Sequence, residues 1–221
     1  MKGTRIIRTL GLTTVILSLL LGVQATWAGG LRDGSLYGDF MWVGFADDLE
    51  ELYKPAAGWA LGYIQPVSPN WAIGVEMGMR KHSDRARHGD EPWHDPGVRN
   101  EELCCLGPAT DFTVVPWIGQ VFMKAPWCQK KHRNTSMWFS FGIGAYALNW
   151  EWSDLGLEKS DTVLGLNSGA HLVWKKSDKV ALTTAVVYHH VTTDDLFHGI
   201  DPYHMFDVRL GVVFRISGAS Q

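Results

Sequence analysis

Two stretches concentrate side chains able to do chemistry. The first runs Tyr188-His189-His190-Val191-Thr192-Thr193-Asp194-Asp195-Leu196-Phe197-His198-Gly199-Ile200-Asp201. It sets imidazoles, hydroxyls and carboxylates side by side, the groups used in acid–base and nucleophilic catalysis. Taken alone, the same residues also make an ordinary polar loop, with His189 and His190 as interfacial residues at a strand end. The second stretch holds His82, His88, Asp90, Glu91, His94 and Asp95. Such side chains bind divalent cations, but their spacing follows no zinc pattern, which favours a solvated loop with no metal. Neither stretch calls for a cofactor. Cys104, Cys105 and Cys128 make an odd count, so at least one thiol stays outside any internal disulfide.

The first stretch resembles the lipid A 3-O-deacylase family of outer-membrane barrels. Members carry a His-x-Ser-Asn motif at the outer end of the seventh strand, and an acid in a Gly-apolar-acid setting at the start of the last hairpin arm. Here His190-Val191-Thr192-Thr193 occupies the motif and Gly199-Ile200-Asp201 the acidic position. The likeness extends more weakly through Gly142-Ile143-Gly144, through Gly165 to Trp174 with the turn Lys175-Lys176-Ser177-Asp178, and through Arg209-Leu210-Gly211. It does not cover the first hundred residues. The resemblance implies metal-free hydrolysis of the ester-linked acyl chain at position 3 of lipid A, with lipopolysaccharide as partner. It makes His190 the general base, Thr192 the nucleophile in place of serine, and Asp201 the group orienting the imidazole. Thr193 stands where the family has an oxyanion-hole asparagine. Both threonines are departures: the extra methyl crowds attack, and losing one good oxyanion donor costs a factor of about 100 to 1,000 in rate.

The elements that must position these groups are strands. Alternation with period two, broken by polar turns, recurs along the chain. Phe206, Val208, Leu210, Val212, Phe214 and Ile216 oppose Asp207, Arg209, Gly211 and Arg215; Trp71, Ile73, Val75, Met77 and Met79 oppose Ala72, Gly74, Glu76, Gly78 and Arg80. Large apolar residues suit lipid, and small or charged ones suit a lumen. The remaining strands are expected over Leu36 to Phe45, Gly58 to Pro66, Phe112 to Lys124, Met137 to Trp150, Thr162 to Trp174 and Val180 to His190, with the last from Tyr203 to Ile216. That makes an all-β, eight-stranded, antiparallel up-and-down transmembrane barrel. Its lumen is too narrow for a pore, so Glu76, Arg80, Asp207 and Arg209 are expected to pair across it.

Connections alternate in length, with the longest, Lys81 to Asp111, on the extracellular side. Ser153 to Asp161 is expected to be a loop. Trp59, Trp71, Trp117, Trp138, Trp150, Trp152 and Trp174 fall near strand ends, as interfacial girdles require. Parity puts Leu182, Val186, Tyr188 and His190 on one face of the seventh strand, with Thr192 continuing it toward lipid. Asp201 falls on the lumen parity, so a bulge must bring it round to His190.

Residues 1–28 are expected to be a secretory signal peptide, with Lys2, Arg5 and Arg8 preceding an apolar run from Leu12 to Leu21. That run falls short of the roughly 20 residues a spanning helix needs. Residues 29–221 then form one outer-membrane domain. Loss of those three cations takes the formal charge from −3 to −6, which disfavours a nucleic-acid partner. Two functions compete: a lipid A deacylase of the outer leaflet, or a non-catalytic small barrel whose external loops bind or seal. A soluble periplasmic barrel with lipid inside needs large apolar residues pointing inward.

Overall fold

The computed structural model describes residues 34–46, 50, 53–83, 111–126, 134–153, 156–192 and 202–216. Eight strands form: β1 (Ser35–Phe45), β2 (Ala56–Pro66), β3 (Trp71–Ser83), β4 (Asp111–Lys124), β5 (Thr135–Trp152), β6 (Leu157–Lys175), β7 (Val180–Val191) and β8 (Tyr203–Arg215). Each pairs antiparallel with its neighbours, and β8 closes on β1. Closure leaves no edge, so the ladder pairs the backbone without help from water. Following cross-strand partners once around, from Leu36 through Tyr63, Val75, Gly119, Ile143, Leu166, His190 and His204, leads to Ala46. That stagger, from 36 to 46, tilts the strands by about 40° from the barrel axis.

The period-two pattern resolves as expected. Outward positions carry Leu36, Phe40, Trp42, Leu61, Trp117, Phe141, Ile143, Leu166, Val208 and Leu210, all exposed on the isolated chain. Such a belt around a closed barrel is a surface built for hydrocarbon. Two connections on one side, Val67–Asn70 and 176–179, are tight turns. In each a serine hydroxyl accepts a backbone N–H: Ser68 Oγ from Trp71 at 3.1 Å, and Ser177 Oγ from Val180 at 3.1 Å. This side is the turn end; the opposite one, where β1 finishes and β8 begins, is the loop end.

Three features depart from the expected elements. β5 and β6 continue as a paired hairpin through Trp152↔Leu157, so 157–161 is strand rather than loop. The hairpin closes through Gly156, whose φ of 61° suits a residue without Cβ. Pro116 lacks an N–H, and the β3–β4 ladder skips its position and Val115. Trp150 and Trp152 do not join a girdle: both are buried in the core at the loop end, whereas Trp42, Trp59, Trp71 and Trp117 do face outward. Trp138 lines an internal cavity at the turn end.

Candidate functional site

The lumen is layered rather than uniformly polar. At the loop end, Met41, Phe45, Tyr53, Phe112, Leu148, Trp150, Tyr203 and Met205 form one buried cluster. Phe112 is its centre, stacked on Trp150 at 5.3 Å and lying 5.4 Å from Tyr53, 6.0 Å from His82 and 6.0 Å from Tyr203. The large inward apolar groups that a lipid-filled soluble barrel requires are present here, but packed on one another.

Beneath this cap lies a buried charge layer built from alternate residues of β1, β3 and β8. Arg209 grips Glu76 with both terminal nitrogens, at 2.6 and 3.0 Å, and reaches Asp207 at 2.8 Å. Arg80 grips Asp207 through Nε at 3.1 Å and Nη2 at 2.5 Å. Tyr37 donates its hydroxyl to Glu76 at 2.7 Å. These are the pairs that the inward parity of Glu76, Arg80, Asp207 and Arg209 implies. Parity also places His189 here: Nε2 lies 2.9 Å from Asp207 and Nδ1 lies 2.9 Å from the Tyr146 hydroxyl. Tyr146, His189 and Asp207 thus line up as hydroxyl, imidazole and acid. Two arginines already occupy that acid and the trio is closed to solvent, so it serves packing rather than substrate. A strand-end reading of His189 is therefore corrected by one residue of parity.

Below the charge layer a cavity of about 560 Å³ opens at the turn end. Tyr37, Asp39, His171 and Thr183 lie inside it, and Lys124, Lys175, Lys179 and Arg215 lie around its mouth. His171 Nε2 meets Ser140 Oγ at 2.9 Å. At the rim, Lys175 holds the Asp178 carboxyl below its usual range through a 2.7 Å contact. The narrow lumen inferred from strand number is accordingly closed at its loop end and hollow at its turn end.

Of the residues singled out for hydrolysis, His190 and Thr192 are described, and they lie on the outside of the barrel near the loop end. His190, one residue before the end of β7, is outward and half-buried, flanked by Leu166 on β6 and His204 on β8. Thr192 follows the strand and is exposed; its hydroxyl donates to the Leu164 carbonyl at 2.6 Å, and its N–H reaches the same oxygen at 2.9 Å. The shared lipid-facing parity of His190 and Thr192 is as expected, while the hydroxyl proton is directed at a backbone carbonyl of β6. Thr193 and Asp201 lie outside the described residues, as do the signal segment, the three cysteines and His88 to Asp95 of the second stretch. His82 is described, and it is buried within the aromatic cap.

Of the two side chains beside His190, parity already places Tyr188 on the same face, but His204 was not singled out from sequence. His204 stands directly across the ladder, with ring centroids 4.9 Å apart. Tyr188 hydrogen-bonds His204 Nδ1 through its hydroxyl and packs on Phe206 at 5.0 Å. Only the register, which the length of the 192–202 connection hides, brings these side chains together. Among the described residues, no group of three or more His, Cys, Asp or Glu is placed to hold a metal.

No protein-family model matches the sequence, and no curated protein matches it. Solved structures do. Neisserial surface protein A superposes with a TM-score of 0.60 at 9% identity, covering 83% of this chain and 97% of that one. The outer membrane protein OprG of Pseudomonas aeruginosa gives 0.58 at 10% identity, covering 85% and 97%. Ail of Yersinia pestis, in complex with the heparin analogue sucrose octasulfate, gives 0.51 at 14% identity, covering 84% and 99%. At such identities the likeness establishes the fold, a closed eight-stranded antiparallel barrel matching those of outer-membrane proteins.

Proposed function

We propose that this protein is a small barrel of the Gram-negative outer membrane, exported by its segment 1–28, that is closed to through-passage and acts by binding at its loop end without catalysis. The observation that carries the reading is the lumen blocked at its loop end, where an aromatic cap sits on a charge layer bridged by Arg80–Asp207 and Arg209–Glu76. With the lumen blocked among the described residues, function falls to the connections, and the longer ones of such barrels face outward. Their sequence gives the partner's chemistry. Segments 46–55, 84–110, 153–156 and 192–202 carry formal charges of −3, −3, −1 and −3, against 0, +3 and +1 for 67–70, 125–134 and 176–179 at the turn end. A surface so acidic steers cationic partners and repels polyanions, so the sulfated ligand of Ail is a poor guide here.

The test uses the protein in zwitterionic vesicles. Polylysine is expected to bind in a salt-sensitive manner, more weakly after Asp47, Asp48, Glu50 and Glu51 are changed to their amides, and planar-bilayer recordings are expected to show no conductance steps. Stable single-channel conductance, or binding indifferent to those four changes, defeats the proposal.

A second reading is favoured by one observation: His190 and Thr192 share the lipid-facing side at the outer rim. In this reading the barrel removes an ester-linked acyl chain from lipid A, with His190 as base, Thr192 as nucleophile, Asp201 orienting the imidazole and Thr193 at the oxyanion position. It requires the Thr192 hydroxyl to exchange the Leu164 carbonyl for the imidazole. Mass spectrometry of lipid A after incubation, run beside His190→Ala, decides it. Loss of one 3-hydroxyacyl mass with the unsubstituted protein alone establishes the hydrolase, and an unchanged mass removes it.

A further inference from the structure

The pairing of β7 with β8 sets His190 and His204 directly opposite each other on the outward face, one residue inside the last pair of the ladder at the loop end. Both rings are half-buried, with centroids 4.9 Å apart and planes at 54°. Two imidazoles sharing one ion at metal–nitrogen distances of about 2.0–2.1 Å and an angle of about 90–109° bring their centroids to about 4.5–5.3 Å, taking roughly 1.2 Å from nitrogen to ring centre. The observed separation falls inside that window.

Tyr188 supplies a second, independent feature. Its hydroxyl sits on Nδ1 of His204, and its own ring is held against Phe206 at 5.0 Å. Ligating imidazoles characteristically engage their other ring nitrogen in this way, which fixes tautomer and orientation and directs Nε2 toward the ion. The acidic loop end nearby raises the local concentration of cations.

We propose that His190 and His204 form a two-imidazole site for a divalent transition-metal ion at the outer rim, with Tyr188 as its positioning residue. No third His, Cys, Asp or Glu joins them among the described residues. Such a donor set ranks copper(II) first, ahead of nickel and zinc.

The experiment titrates copper(II) into the untagged protein in detergent micelles, reading affinity by equilibrium dialysis and nitrogen donors by electron paramagnetic resonance. One equivalent is expected to bind with a two-nitrogen signature. His190→Ala and His204→Ala are each expected to weaken binding by about tenfold or more and to leave a one-nitrogen spectrum. Tyr188→Phe is expected to weaken binding by about tenfold while keeping both nitrogens. The double variant His88→Ala/His94→Ala is expected to bind as the parent does. A heat-modifiable gel shift verifies folding of every variant, which outward substitutions leave intact. Unchanged affinity and spectrum in His190→Ala and His204→Ala, or loss of the signal in the His88/His94 variant, overturns the assignment.

Discussion

Replacing Arg209 by Met is the sharpest test of the layered lumen. The guanidinium is fully enclosed and satisfies Glu76 at 2.6 and 3.0 Å, with Asp207 at 2.8 Å and Asp39 at 3.9 Å. Methionine keeps much of the volume but strips Glu76, Asp207 and Asp39 of a shared cation, with Arg80 still bonded to Asp207. Removing one partner of a buried ion pair costs about 3–5 kcal/mol, because the charge left behind has lost both water and its counter-ion. With a urea slope of about 2 kcal/mol per molar, a loss near 4 kcal/mol lowers the unfolding midpoint by about 2 M. The eleven tryptophans give a fluorescence readout in vesicles. Adding Glu76→Gln removes the stranded charge that Arg209 gripped with both terminal nitrogens, so the double variant is expected to recover part of the stability, with a coupling energy above about 1 kcal/mol. A midpoint for Arg209→Met within 0.2 M or so of the parent, or a double variant whose loss equals the sum of the two single losses, refutes the claim that the buried Arg209–Glu76 pair holds this layer together.

Two further perturbations probe the wall. Gly211→Ala places a Cβ 1.8 Å from Asp39 Oδ1 and 2.4 Å from the Gly38 carbonyl, and backbone cannot yield at the β8–β1 seam as a side chain does. The folded fraction in the heat-modifiable gel is expected to fall steeply, and parent-like folding contradicts the close approach. Leu210→Arg, at an outward position 62% exposed on the isolated chain, is expected to cost about 2–4 kcal/mol in vesicles if it sits near mid-bilayer. A neutral effect there on urea unfolding shows that β8 does not face hydrocarbon at this height.

Much of the architecture was legible because hydrocarbon enforces alternation. Where the wall faces lipid on one side and a lumen on the other, as at Trp71 to Arg80 or Phe206 to Arg215, parity alone assigns each side chain to a face. Legibility ended where that asymmetry ended. Glu158, Lys159, Ser160 and Asp161 carry no apolar face and resemble a loop, yet they pair with β5 because the hairpin runs on past the apolar belt. Trp150 and Trp152 resembled girdle residues by their position along the chain, but they share parity with Tyr146 and Leu148, which point inward. For the candidate site, sequence placed His190 and Thr192 on the lipid side. It could not pair His190 with His204, because register across a long connection is set by closure of the whole barrel rather than by local residues.

Closure also explains why adjacent histidines have opposite fates. His189 turns into the charge layer and completes the coordination of Asp207, where its loss leaves the Tyr146 hydroxyl and the carboxylate short of a partner. His190 turns outward at the rim, where it holds up no part of the core and is available to a ligand or a substrate. A substitution at 189 therefore acts through stability and one at 190 through binding. Measuring urea midpoint and copper affinity on both His189→Ala and His190→Ala separates the two roles, since the first is expected to shift only the midpoint and the second only the affinity.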